Sequence, residues 1–182
     1  MKLMIASDIH GDSECLSQLI CEYKRSGAAK LILLGDLLYH GPRNDLPQGY
    51  EPKKCIELLN SIKDELWCVR GNCDTEVDQM VLDLPILSDY SIILADGVEI
   101  FATHGHNFNM QTLTSLRKGS VLLHGHTHVP AAIKFGQDNV YINPGSVSIP
   151  KENSPKSYIL YENGVFSFRR LDDSTEYNTY TI

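Results

Sequence analysis

The sequence predicts an α/β protein in which two β-sheets pack face to face with helices outside. Three observations carry this expectation. Through residue 74, short apolar runs alternate with amphipathic segments in the order strand, helix, strand, helix, strand. That is the pattern of a parallel sheet with right-handed crossovers. From residue 91 to residue 168, several apolar runs come in pairs joined by tight turns, the pattern of hairpins. Finally, 182 residues that are 42% hydrophobic and 21% charged suit one domain with a sizeable core, and no repeat, low-complexity stretch or linker divides them. A single domain over residues 1–182 is therefore expected.

The elements follow in order. Lys2 to Ala6 is a buried first strand that empties into Ser7-Asp8-Ile9-His10-Gly11-Asp12. Asp12 or Ser13 can cap the next helix, whose apolar face is Leu16, Leu19, Ile20 and Tyr23, and Gly27 ends it. Leu31 to Leu34 is a second buried strand closing on Gly35-Asp36. Leu37 to Pro52 carries Gly41, Pro42, Pro47 and Gly49 and reads as a long loop, functional or mobile. Pro52 opens a second helix that runs to Asp64. Leu66 to Val69 is a third strand, followed by Arg70-Gly71-Asn72-Cys73-Asp74. Ser91–Leu94 and Val98–Ala102 then flank the turn Ala95-Asp96-Gly97, and a short helix is expected over Met110–Arg117. Val121–Leu123 is a strand, Ala131–Phe135 pairs with Val140–Ile142, and Ser157–Tyr161 and Val165–Phe168 flank Glu162-Asn163-Gly164. The last of these is the strongest hairpin signal in the chain. Trp67 and the aromatic pattern of 158–168 read as core, Cys15 and Cys21 as small core or near-surface residues, and the polar last dozen residues as frayed.

Charge and cysteine usage narrow the function. A formal net charge of −7 sets the chain against nucleic acid and anionic membranes, and no basic stripe marks a large polynucleotide partner. No apolar run is long enough to span a bilayer, and no signal peptide is expected. The five cysteines are an odd number at irregular spacings with no Cys-x-x-Cys pair. They speak against a thiolate zinc site and for a reducing cytoplasm. P-loop, Gly-x-Ser-x-Gly and Gly-x-Gly-x-x-Gly signatures are also missing.

The chemistry concentrates in His124-Gly125-His126-Thr127-His128. Six of the seven histidines fall in three short clusters, at His10, at His104 with His106, and in this run. Alternate residues of an extended segment face one way, and imidazole is the commonest metal-binding side chain. Asp8 with His10, Asp36, Asn72, His104, and His126 with His128 each follow an apolar strand beside a glycine or another small residue. Taken singly, Asp8 and Asp36 read as well as helix caps or turn formers, and Asn72 as a turn residue. Taken together, the strand ends converge on a metal. Two carboxylates, one amide and four imidazoles are too many for one tetrahedral ion with an open position. They suit two ions about 3.5–4 Å apart bridged by a carboxylate. The N/O donor set fits Mn, Fe, Co, Ni or Zn. Two divalent ions, two aspartates and a hydroxide leave roughly one positive charge. That makes a local anion site on an acidic chain, suited to phosphate esters.

These motifs, Asp8-x-His10, Gly35-Asp36, Gly71-Asn72-x-Asp74, His104-Gly105-His106 and Gly125-His126-Thr127-His128, span residues 8–128. In kind and order they resemble the five motifs of the calcineurin-like metallophosphoesterases. The small size, the close spacing and Asn143-Pro144-Gly145-Ser146 resemble the small bacterial phosphodiesterases of that superfamily. The resemblance implies a two-sheet α/β/β/α sandwich and a role at each position. Asp8, His10 and His128 would hold one metal, Asn72, His104 and His126 the other, and Asp36 would bridge both. The pair would be two divalent ions, Mn2+ first, with Fe, Co, Ni or Zn as alternatives. A metal-bridging hydroxide would attack phosphorus in line and hydrolyse a small phosphodiester.

Further roles follow from the same resemblance for Asp74, and from position beside the motifs for the others. Asp74 would orient a ligand or its neighbour, or serve as a turn aspartate. His106 would contact the substrate phosphate or support His104. His40, Arg43 and Asn44 would line the cleft or stay solvated, and Arg70 would contact phosphate or pair with an acid. One position departs from the pattern. Where the family writes Gly-Asn-His, this chain has Gly71-Asn72-Cys73. A thiol is ill-matched to an imidazole's task near neutral pH, so turnover should be modest and biased towards activated leaving groups, with Cys73 a weak participant or a filler. The catalytic group is thus Asp36, Asn72, Cys73, Asp74 and His106. The same site admits a phosphomonoesterase or a nuclease. The fold also resembles a retromer subunit that acts as a scaffold with eroded metal ligands, but the complete ligand set here favours an enzyme. No membrane and no large nucleic acid is expected as a partner, and a homo-oligomer is left open.

Overall fold

The computed structural model describes residues 1–113 and 115–182. The first half runs β1 (Leu3–Ala6), α1 (Ser13–Ser26), β2 (Lys30–Leu33), α2 (Pro52–Ser61) and β3 (Leu66–Cys68). The three strands are parallel, with Ile5 opposite Ile32 and Ile32 opposite Trp67. α1 begins where the Asp12 side chain accepts the Cys15 amide at 3.0 Å and ends at Gly27 in the left-handed region, φ 69°. α2 stops at Ser61, and Lys63–Glu65 form a separate 3-10 turn, so the helix is shorter than expected. α3 (Glu76–Gln79) is a single turn held by a capping box between Thr75 and Asp78.

The second half contributes β4 (Tyr90–Ala95), β5 (Val98–Thr103), β6 (Val121–Leu123), β7 (Ala131–Phe135), β8 (Asn139–Asn143), β9 (Ser157–Glu162), β10 (Val165–Arg170) and β11 (Glu176–Thr181). Two mixed sheets result, one in the order β11-β10-β9-β1-β2-β3 and the other β4-β5-β6-β8-β7. Side chains alternate across each strand. Leu3, Ile5 and Ile32 face the space between the sheets, where they join Ile100, Val121, Leu123, Ile142 and Phe166. Met4, Ala6, Leu31 and Leu33 face the other way, onto Leu16 and Leu19 of α1 and Leu59 of α2. Each buried Leu or Ile contributes roughly 1.5–3 kcal/mol. A one-residue slip would reverse both faces, so the register is firmly set. β5 and β6 run parallel. The loops that follow β1, β2, β3, β5 and β6 meet at one rim, as their mutual contacts below demonstrate.

Three further expectations need correction. The C-terminal residues do not fray: β11 pairs with β10, but a bulge between Phe168 and Arg169 shifts the register. The bulge puts both Tyr177 and Tyr180 against the inter-sheet core, so their three-residue spacing hides the strand's period of two. Trp67 is not core. It lies 38% exposed because β3 is an edge strand and leaves its outer side uncovered. The helix expected over Met110–Arg117 does not form at the described residues of that span; Thr114 lies outside them. The Asn109 side chain accepts the amides of Gln111 and Thr112, a local turn that competes with helix.

Candidate metal centre

The strand ends turn sharply, and the turns are made by the ligands themselves. Asp8, His10, Asp36, His126 and His128 have φ of 58°, 50°, 56°, 67° and 62°. Residues with a Cβ avoid this region at a cost of about 1–3 kcal/mol each, so five strained residues in three loops of one rim mark a site over-determined by its surroundings. Glycines let the loops touch. A Cβ on Gly71 would lie 2.1 Å from Asp36 Oδ1, and one on Gly125 would lie 1.9 Å from Ser7 Oγ and 2.5 Å from Asp8 Oδ2. Only glycine permits either approach.

The side chains meet in two linked groups. His10 Nε2 lies 3.2 Å from His128 Nε2, and Asp8 Oδ1 lies 3.6 Å from the first and 3.3 Å from the second. His104 Nε2 lies 3.1 Å from Asn72 Oδ1 and 3.2 Å from His126 Nδ1. Asp36 Oδ2 stands between the groups, 3.7 Å from His10 Nε2 and 3.5 Å from His104 Nε2. The structure therefore brings all seven expected ligands together, with Asp36 in the shared position.

The donor chemistry fits cations. His10 Nδ1 donates to the Tyr39 carbonyl, His128 Nδ1 to Ile149 and His104 Nδ1 to Leu34. A carbonyl only accepts, so each of these nitrogens carries its ring's proton and each Nε2 presents a lone pair. Lone pair then faces lone pair between His10 and His128, and lone pair faces an amide oxygen between His104 and Asn72. Asp8 Oδ1 is buried without any hydrogen-bond partner. Such an arrangement calls for a positive centre between the groups, a proton or a metal ion.

Supporting residues tie the loops. Asp74 accepts the amides of Asp36 at 2.8 Å, Leu37 at 2.9 Å and Gly71 at 2.7 Å, so it pins the β2 loop to the β3 loop rather than facing the metals. Asp36 Oδ1 accepts the Cys73 amide at 2.8 Å, and Asp8 Oδ2 accepts the His126 amide at 3.0 Å. Sequence reasoning singled out Asn143-Pro144-Gly145-Ser146 without a role. Here Asn143 donates to the Gly125 carbonyl, and Ser146 and Ser148 donate to the Asp8 carbonyl. This turn thus clamps the loops bearing Asp8 and His126.

The electrostatics follow from burial and proximity. Burial opposes ionisation of Asp8, but His10, His104 and His128 outweigh it and hold its carboxyl well below the usual range. Burial presses His104 down, yet Asp36, with Asp8 behind it, lifts that imidazole to about 9. Burial brings His124 and His126 down to about 4 and lifts Asp74 to about 6. A pH profile of stability follows for the metal-free protein. The stability His104 contributes is complete below its ordinary value of 6.5 and is lost as pH rises towards 9. His124 and His126 act oppositely: their contribution is present above 6.5 and is lost as pH falls through 4. Thermal melting of metal-free protein should therefore peak near neutrality and fall on both sides. Added metal, which needs deprotonated imidazoles, should remove the alkaline fall.

The remaining candidates divide. A cavity of about 510 Å³ opens on the centre and is walled by Asp36, Asn72, Cys73, His126 and His128 together with Arg43, Asn44 and Lys151. Lys151 carried no sequence signal. His40 packs between Tyr39 and Tyr50 and does not wall this cavity. His106 sits beside His104, ring centroids 5.4 Å apart, with its Nδ1 buried and unpartnered. Arg70 pairs with Glu76 at 3.7 Å and donates to the Asp74 carbonyl. His124 stacks on Tyr141 at 4.1 Å beneath the site. The Cys73 thiol is buried beside Asp36, and both effects push its pKa well up; it is a neutral thiol that accepts from Asn72 Nδ2 at 3.2 Å.

Five strand-end loops holding a paired carboxylate, amide and imidazole centre define a metallophosphoesterase. The calcineurin-like phosphoesterase superfamily domain matches residues 1–163, and the chain belongs to that superfamily, as a phosphoric ester hydrolase. Within it, the chain is a homologue of phosphodiesterase YfcE of Escherichia coli, 46% identical over 96% of this chain and 95% of that protein. The solved structure of YfcE, described as a phosphoesterase, superposes over the full length of both chains with a TM-score of 0.96 and 45% identity. A zinc complex of Vps29 from Entamoeba histolytica shares the fold at 17% identity, TM-score 0.64, covering 100% of this chain and 99% of that one.

Proposed function

We propose that the chain is a binuclear metal-dependent phosphodiesterase acting on small phosphodiesters. The observation that carries this reading is the double convergence of lone pairs on either side of Asp36 Oδ2, joined to homology with a named phosphodiesterase. Asp8, His10 and His128 would hold one cation, Asn72, His104 and His126 a second, and Asp36 both. Mn2+ is the first candidate, by the mixed N/O donor set. Bound there, two divalent ions would supply positive charge for the nonbridging phosphoryl oxygens and acidify a water into a nucleophile at neutral pH.

The chain's own residues do the rest. The clamp from Asn143, Ser146 and Ser148, and the Asp74 tie, hold the ligand loops at fixed spacing, so the groups that receive the ester are in place before it arrives. His126 and Asn72 line the cavity through which a phosphate would enter. No titratable proton donor stands ready at position 73, because the Cys73 thiol keeps its proton. Cys73→His should therefore raise turnover of diesters with poor leaving groups more than of those with good ones, read as the ratio of their kcat/KM values. An unchanged ratio would mark the position as filler. Five free cysteines support a reducing compartment such as the cytoplasm, and no helix among the described residues is long and apolar enough to cross a membrane.

Metal analysis with paired substrates tests the whole reading. Purified protein should carry or take up two ions per chain, gain thermal stability with Mn2+, and cleave para-nitrophenyl diesters in preference to para-nitrophenyl phosphate. Absence of metal uptake would remove the metalloenzyme reading. A preference for the monoester would move the assignment to a phosphomonoesterase.

A further inference from the structure

We propose that the mouth of the metal centre carries an oxyanion subsite formed by Arg43 and Lys151, and that the natural substrate is a phosphodiester whose non-leaving arm bears a second negative group. The inference rests on the phosphodiesterase reading and specifies its substrate class.

The cavity over the centre has room for more than a phosphoryl group. At about 510 Å³ it lies within the roughly 300–1,000 Å³ range of sites that enclose whole small molecules. Its wall inverts the charge of the chain. The protein has 23 Asp and Glu against 16 Lys and Arg, yet among the described residues Asp36 is the one carboxylate of this wall, and Asp36 belongs to the metal centre. Arg43 and Lys151 are the wall's cations. Neither forms an ion pair with an acidic side chain among the described residues.

The two cations come from separate segments that the centre itself places. Arg43 sits in the loop after β2, in the Gly41-Pro42-Arg43-Asn44 stretch. A Cβ on Gly41 would lie 3.2 Å from Cys73 Sγ, and the Asn44 amide donates to the His40 carbonyl at 2.8 Å. Lys151 follows the clamp turn, and its amide donates to the His128 carbonyl at 3.1 Å. Its backbone is therefore bonded to that of a metal ligand. A forked guanidinium and a point-charge ammonium at one mouth, with no acid to neutralise them, recognise an oxyanion. Metals held by the centre would take the scissile phosphate, which leaves Arg43 and Lys151 for a second anionic group. A phosphomonoester and a carboxylate share that chemistry.

Three para-nitrophenyl diesters with one leaving group and different arms separate the outcomes: propyl, carboxyethyl and phosphoethyl. With Mn2+, kcat/KM for at least one anionic arm should exceed that for the propyl arm by roughly ten-fold or more, the scale of one charged hydrogen bond. The better of the two anionic arms identifies the group. Arg43→Gln and Lys151→Gln, both at exposed positions, should each shrink this ratio, and the double variant should bring it close to one. Arg43→Glu should invert it. Equal kcat/KM across the three arms, or a ratio that survives the double substitution, overturns the proposal while leaving the phosphodiesterase reading standing. No turnover of any of the three overturns both.

Discussion

Asp36→Asn should abolish turnover and strip the centre of its second ion. Asp36 Oδ2 lies close to both imidazole groups, 3.7 Å from His10 Nε2 and 3.5 Å from His104 Nε2, whereas Asp8 Oδ1 sits with His10 and His128 and is 4.0 Å from His104 Nε2. With its one oxygen kept on the Cys73 amide, asparagine turns toward the two imidazole groups a neutral NH2, which has no lone pair free to bridge cations. Loss of a partner that merely orients a ligand costs about 10–100-fold in metal affinity or activity, and loss of the shared ligand should exceed that range. The fold should survive, because the remaining oxygen can still accept the Cys73 amide, which now bonds Asp36 Oδ1 at 2.8 Å. Metal content per chain, measured alongside circular dichroism, checks both halves. Two retained ions, or activity within ten-fold of the parent by the order-of-magnitude standard above, would remove Asp36 from the bridging position.

Asp74→Asn should cause a large loss of stability although it leaves the side-chain volume almost unchanged. The carboxylate of Asp74 accepts three backbone amides, from Asp36 and Gly71 on Oδ2 and from Leu37 on Oδ1. Asparagine keeps one acceptor oxygen and turns the other into a donor. Whichever way the amide is oriented, at least one buried N–H faces another donor, at about 1–3 kcal/mol for each unsatisfied group. Allowing for the clash as well, roughly 2–5 kcal/mol is expected. At about 2–4 °C per kcal/mol for a chain of this size, melting should fall by roughly 4–20 °C. Activity should fall too, through displacement of Asp36 and Asn72, and excess metal should partly restore it. A melting temperature within a degree or two of the parent, well under that scale, would mean the three amides find water instead.

The parts of the molecule legible in the sequence are those where a local pattern and the final environment agree. Asp96-Gly97 and Asn163-Gly164 turn hairpins because their residues tolerate positive φ, and both are found there. The five ligand loops are legible because a glycine in each is a steric requirement, as Gly71 and Gly125 demonstrate. β11 escaped because a bulge broke its alternation, and Trp67 because edge position is decided by strand order, which no local window contains. Asp74 was visible as a motif residue, but its three amide partners come from two loops more than thirty residues apart. Lys151 had no signal, since a lysine in a polar turn gains meaning only from the cavity it reaches.

Strand order also fixes when the centre can exist. β1 lies between β2 and β9, with Leu3 paired to both Lys30 and Tyr161. A chain emerging from the ribosome at about 5–20 residues per second keeps one side of its first strand open for on the order of ten seconds. Ser146 and Ser148, which hold the Asp8 carbonyl, emerge only shortly before β9. All seven candidate ligands are made by His128, but the serines that tie the Asp8 loop, and the strand that closes the sheet on β1, follow only later. Long-range closure of this kind is slow and leaves an apolar edge free to pair wrongly until the ninth strand arrives.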